Sequence, residues 1–198
     1  ASEEDNDAMT LCYDGLDVTQ RLLQGTLSGI GWSNNAWQAE SPTNISAYRV
    51  VNGSLEYGGL VTAGNKIEGG YAYQTVGRSL AVGTAFSPWA TNIGGYNYIG
   101  KHGTELWMSY VTRLASSSNV GKLGFDDAAG VYHDNNGRCR VQQAGGRWCV
   151  SAMADSRAAT SSVAVAANTD YLMVLHFVFA PTDTVELFVN PVLDGTPP

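Results

Sequence analysis

Charge is scarce in this sequence. Only 15% of its 198 residues are Asp, Glu, Lys or Arg, against about 25% in an average globular chain. Eleven Lys and Arg against 18 Asp and Glu leave a net charge of −7. So little positive charge cannot neutralise a run of phosphates, and neither nucleic acid nor an anionic membrane surface is an expected partner. Long hydrophobic runs are missing too. The longest, residues 171–180, is interrupted by His176 and falls short of the roughly 20 residues of a membrane span, so no membrane insertion is expected. No apolar stripe of helical period exceeds two turns, which argues against an α-helical fold, and there is no internal repeat. Several catalytic signatures are absent as well: a Gly-x-Ser-x-Gly elbow, a phosphate-binding glycine loop ending in Lys-Ser/Thr, and Cys-x-x-Cys. The histidines His102, His133 and His176 lie far apart, with no spacing suited to zinc.

What the chain has instead is glycine and aromatics: 23 Gly, 10 Tyr and 5 Trp, within a hydrophobic content of 44%. Glycine weakens helix interiors and aromatics suit pleated surfaces, so short strands and tight turns are expected. The length fits one domain, here residues 10–198, preceded by an acidic arm over 1–9 that carries Glu3, Glu4, Asp5 and Asp7. The opening Ala-Ser-Glu-Glu has the look of a chain left after signal-peptide cleavage, and an extracellular or cell-surface location is expected.

Alternation and turn residues predict strands over 9–14, 48–51, 53–57, 78–82, 104–114, 122–125, 131–133, 139–143, 147–152, 171–179 and 184–190. The run 104–114 is apolar on both sides for much of its length and reads as a strand covered on both faces. Residues 86–102 read as a long loop rich in Gly, Asn and Tyr. Turn signals every 8 to 15 residues favour an all-β, antiparallel two-sheet β-sandwich of jelly-roll type. If the arms around Ala144 and Gly145 pair symmetrically about Ala144, Cys139 faces Cys149 and a disulfide is allowed, with two reduced cysteines as the alternative. Cys12 is left over as a small buried hydrophobe.

Several segments in order resemble a bacterial group of concanavalin A-like (LamG-like, lectin/glucanase-type) β-sandwich domains of secreted and surface proteins. They are Tyr13-Asp14-Gly15-Leu16-Asp17, Gly29-Ile30-Gly31-Trp32 followed by Trp37, Gly53-Ser54-Leu55-Glu56-Tyr57, Arg78-Ser79-Leu80, Gly103 through Tyr110, and Asp170 through Pro191. The resemblance implies that Trp32, Trp37 and Trp107 plug the core. In that group the Asn-Pro segment leads to further strands, the last with an Asp-Glu-hydrophobic-Arg signature. Here Gly195-Thr196-Pro197-Pro198 follows, so the expected sandwich lacks its last strand, which is trimmed, dispensed with or supplied by another chain.

Enzymes of this fold hydrolyse polysaccharides with paired acids on one strand, because the reaction needs two carboxyls about 5 to 9.5 Å apart. No such pattern occurs: Asp126 and Asp127 are adjacent, and Glu186 stands alone between Val185 and Leu187. A lyase-like set of Tyr132, His133, Arg140 and Gln142 is present with unremarkable spacing, and a non-catalytic protein is expected. His176, inside the most apolar strand, reads as a hydrogen-bonded interior residue. Asp134-Asn135-Asn136-Gly137 offers oxygen ligands to calcium through Asp134 and Asn136, and is equally an ordinary turn; no other cofactor is expected. Sugar rings stack on aromatic faces, so Trp89, Tyr96 and Tyr98, then Tyr132 and Trp148, are the candidate glycan contacts. Asn44-Ile45-Ser46 and Asn52-Gly53-Ser54 fit the glycosylation sequon. The expected function is a structural or adhesive extracellular module that assembles with itself or a neighbouring surface protein, with glycan binding as the alternative.

Overall fold

Short alternating runs separated by glycine turns fold into strands. A computed structural model describes residues 12–19, 21–33, 36–39, 48–60, 62–69, 76–117, 122–125, 139–152, 158–194 and 198. These residues form an all-β structure of several antiparallel sheets with a short 3₁₀ turn at Ser87–Trp89. The chain divides into two compact units, Ala1–Gly53 with Gly64–Ala90, and Ser54–Ala63 with Thr91–Pro198. The acidic arm over 1–9 lies outside the described residues.

In the first unit, β1 (Arg21–Leu22), β3 (Tyr48–Val51) and β4 (Lys66–Gly69) form a sheet in the order β1-β3-β4, and β2 (Gln38–Ala39) pairs with β5 (Val76–Gly77). Strand period places Val50 inward, where it joins Leu16 and Leu23, with Val18, Trp37, Tyr48 and Val76 against them. Asp14 organises the loops around this small core. Its Oδ1 accepts the Leu16 N–H at 3.0 Å and the Ser28 hydroxyl at 2.5 Å, and its Oδ2 accepts Trp37 Nε1–H at 3.1 Å and Arg78 at 3.2 Å. Arg78 also donates to the Ser28 carbonyl at 2.5 Å and lies 5.2 Å above the Trp32 ring. Segments far apart in sequence therefore meet on one buried carboxylate. Gly29 sits at φ +75° beside the Tyr13 carbonyl, where any Cβ would collide with that oxygen, so only glycine permits the Tyr13–Ile30 bridge.

In the second unit, β8 (Thr104–Arg113), β13 (Asp170–Phe179) and β14 (Thr184–Val189) form a sheet in the order β14-β13-β8. A second sheet, β12-β11-β10-β9, comprises β9 (Lys122–Phe125), β10 (Cys139–Ala144), β11 (Arg147–Ala152) and β12 (Ala158–Ala164). Met173, Leu175 and Phe177 lie opposite Tyr110, Met108 and Leu106 on β8 and Val189, Leu187 and Val185 on β14. These join Val141, Trp148 and Val150 of the other sheet in one hydrophobic cluster. Tyr171 packs edge-on to Trp148 at 5.3 Å, and its hydroxyl donates to the Ala164 carbonyl and accepts the Ala166 N–H. Asn190 ends β14 with a left-handed backbone, φ +55°, and its side chain accepts the Leu172 N–H, prolonging the pairing past the last strand residue.

Several expectations are corrected by the structure. Strand β8 is covered on one face only. Leu106 and Met108 face the cluster, so Trp107 between them points outward and is 46% exposed rather than plugging the core. The hairpin of β10 and β11 turns at Gly145-Gly146, φ +57° and +76°, instead of at Ala144. Cys139 consequently faces Ala152 and Cys149 faces Gln142. The two thiols lie on opposite faces of the hairpin and both are free. The segment read as a loop over 86–102 contains a hairpin of β6 (Ala90–Ile93) and β7 (Tyr96–Ile99), joined by Gly94-Gly95. Residues 53–57 hold no strand, only a bridge from Tyr57 to Leu60.

Candidate functional site

With the inward side chains of β14-β13-β8 committed to the cluster, the alternate residues form an outward face. Its central row is Glu186, His176 and Trp107, one from each strand, in direct cross-strand register. His176 Nδ1 lies 3.0 Å from Glu186 Oε2, and Nε2 lies 2.9 Å from Glu105 Oε2. The Trp107 ring stacks on the imidazole, centroids 4.0 Å apart and planes 8° apart, and lies 6.2 Å from Phe188. The imidazole is largely covered, while both carboxylates remain exposed. Desolvation pushes the His176 pKa down. The hydrogen bonds and charges of Glu105 and Glu186 outweigh it, and the net shift is upward from the usual histidine value. At the far end of this face Arg113 pairs with Asp170 through two contacts, and Asp170 also accepts the Glu56 N–H at 2.9 Å.

A second feature lies where the two sheets end. Among the described residues, β12 and β14 each pair with one neighbour and are edge strands. They flank a groove of about 400 Å³ lined by Ser161, Val163, Leu187, Val189, Val192 and Asp194 among others. Val192, 76% exposed, and Leu193 leave apolar surface at its rim. Strand β12, Ala-Ala-Thr-Ser-Ser-Val-Ala, carries neither a charge nor a proline, the devices that ordinarily blunt an edge.

The predicted glycan contacts differ in exposure. Tyr96 is 68% exposed and Tyr98 partly buried on β7 in the second unit, whereas Trp89 is partly buried in the first. Trp148 is corrected: at 2% exposure in the core cluster it has no face for a ligand. Tyr132, Asp134 and Asn136 lie outside the described residues, as do His133, Asp126 and Asp127. Trp32 and Trp37 are partly buried and pack against each other at 5.9 Å. His176 is hydrogen-bonded as expected, but on the outward face. Among the described residues, no group of three or more His, Cys, Asp or Glu is placed to hold a metal ion, and no helix is long and apolar enough to cross a membrane. Burial pushes the Cys12 and Cys139 thiols up to about 11 and raises Cys149 as well, so all three are protonated at neutral pH.

No protein-family model matches the chain, and neither a curated protein nor a solved structure matches it.

Proposed function

We propose that the chain forms a concanavalin A-like β-sandwich that serves outside the cell as a non-catalytic structural or adhesive module, assembling with copies of itself. The observation that carries this reading is the pair of edge strands β12 and β14 along one groove. An uncharged edge does not repel an identical edge, and antiparallel pairing of β12 about a twofold axis sets no like charges opposite each other. Exposed Val192 and Leu193 at the rim add apolar area to the same contact. Sedimentation velocity and negative-stain microscopy over a concentration series test the reading. Oligomers or filaments are expected, and Ser162→Lys, which places a charge on the exposed edge, should abolish them with an unchanged circular dichroism spectrum. A wild-type monomer at every concentration would sink it.

The outward face favours a second reading, binding of a glycan. Trp107 offers apolar surface beside two exposed carboxylates that can accept hydrogen bonds from sugar hydroxyls. A glycan array read with wild type and Trp107→Ala separates the two: a signal lost in the variant supports binding at this face, and an array without signal removes the reading.

A further inference from the structure

An imidazole has two ring nitrogens, and both can donate a hydrogen bond only while the ring carries its extra proton. In His176 each nitrogen meets a carboxylate oxygen, at 3.0 Å and 2.9 Å, and a carboxylate only accepts. Glu186 belongs to β14 and Glu105 to β8, with His176 on β13 between them. The ring therefore ties three strands together across their outward face. Parallel stacking of Trp107 on that ring at 4.0 Å places the indole face where it favours a cation.

We propose that Glu105, His176 and Glu186 form a proton-operated latch on this face: the imidazolium holds both carboxylates and the indole, and when its proton passes to solvent the ring keeps one carboxylate and lets the other go. A neutral imidazole has one N–H, so its second nitrogen becomes an acceptor facing an acceptor, and that contact turns repulsive. The charge of the trio goes from −1 to −2 as the proton leaves. Among the described residues, Glu105 from β8 and Glu186 from β14 are the charged groups that face the ring. On its own strand Asp170 sits at the opposite end, paired with Arg113. Both carboxylates are exposed, so either can swing into water, whereas the ring is confined by Trp107 and its own strand. In acid the face is closed and less negative. In alkali it carries a released carboxylate beside an exposed indole.

The sign of the linked stability follows from the raised histidine. The latch contributes fully below the unfolded-state value of about 6.5, and its contribution is lost as pH rises through the higher native value. The latch requires neither self-association nor a bound glycan.

The test is NMR on the full chain between about pH 4 and pH 9, the span over which carboxyls and histidines titrate. His176 ring signals are assigned by their loss in His176→Gln. A midpoint above about 6.5 is expected, lowered by roughly half a pH unit or more in Glu105→Gln and again in Glu186→Gln. Trp107 fluorescence, isolated by difference from Trp107→Phe, should change with the same midpoint. Should a Gln variant not fold, the side-chain carboxyl carbon shifts of Glu105 and Glu186 in the wild type serve instead, with at least one moving at the His176 midpoint. A midpoint at or below about 6.5 that ignores both Gln substitutions overturns the latch. Carboxyl and Trp107 signals that do not follow His176 overturn it equally.

Discussion

Replacing Arg78 by alanine should cost the first unit much of its stability. Asp14 and Arg78 are both almost wholly buried, with side-chain exposures of 7% and 5%, and their ion pair spans 3.2 Å. Removing the guanidinium strands a carboxylate that keeps three donors, from Leu16, Ser28 and Trp37, but loses its counter-charge. Breaking a buried pair in this way costs about 3–5 kcal/mol, against about 5–15 kcal/mol for a whole domain. Loss of the stack over Trp32 acts in the same direction. Urea denaturation followed by tryptophan fluorescence reads the effect near its source, because Trp32 and Trp37 both adjoin the network. With a slope of about 1–3 kcal/mol per molar urea, the midpoint should fall by roughly 1 M or more. The double variant Asp14→Asn, Arg78→Met should lose less than the sum of its two single variants, because it leaves no orphaned charge. A loss under about 1 kcal/mol for Arg78→Ala, the value of an exposed pair, would refute the reasoning.

Other outcomes follow from burial and bonding. Trp148→Ala should cost about 3–5 kcal/mol in equilibrium unfolding, whereas Trp107→Ala, removing a half-exposed ring, should cost no more than about 1.5 kcal/mol; equal costs would contradict the assigned faces of β8 and β11. Tyr171→Phe should lose about 0.5–1.5 kcal/mol, the net worth of a hydrogen bond, because it removes the hydroxyl that joins the Ala164 carbonyl and Ala166 N–H, and a neutral result would mean that water replaces that hydroxyl. All three cysteines should alkylate slowly in the native protein at neutral pH and promptly in denaturant, with no bridge in the non-reduced mass spectrum.

How much was legible in the sequence depended on side-chain contrast. Strands 48–51, 122–125 and 147–152 were predicted with their observed bounds because β-branched and aromatic residues stand out against flanking turns. Strand β12 is hard to see because it consists mostly of Ala and Ser, which carry no comparable signal, although its pairing with β11 is extensive. Gly94-Gly95 is a hairpin signal set inside a run whose Gly, Asn and Tyr content reads as a loop. Period alone did not choose a side for β8: Leu106, Met108 and Tyr110 compete with Trp107 and Val111, and only pairing with Met173, Leu175 and Phe177 decides. Centring the turn on Gly145-Gly146 rather than on Ala144 is enough to separate Cys139 from Cys149. The cluster of Glu105, His176 and Glu186 is invisible in the sequence for the same reason. Each residue is solitary in its own strand, and register alone brings them together.

If the edge strands β12 and β14 carry self-association as proposed, amide hydrogen exchange across a concentration series will register it strand by strand. Protection should rise with concentration over residues 158–164 and 184–189 while the interior strand β13 stays unchanged. Exchange at both edges that is independent of concentration would contradict it.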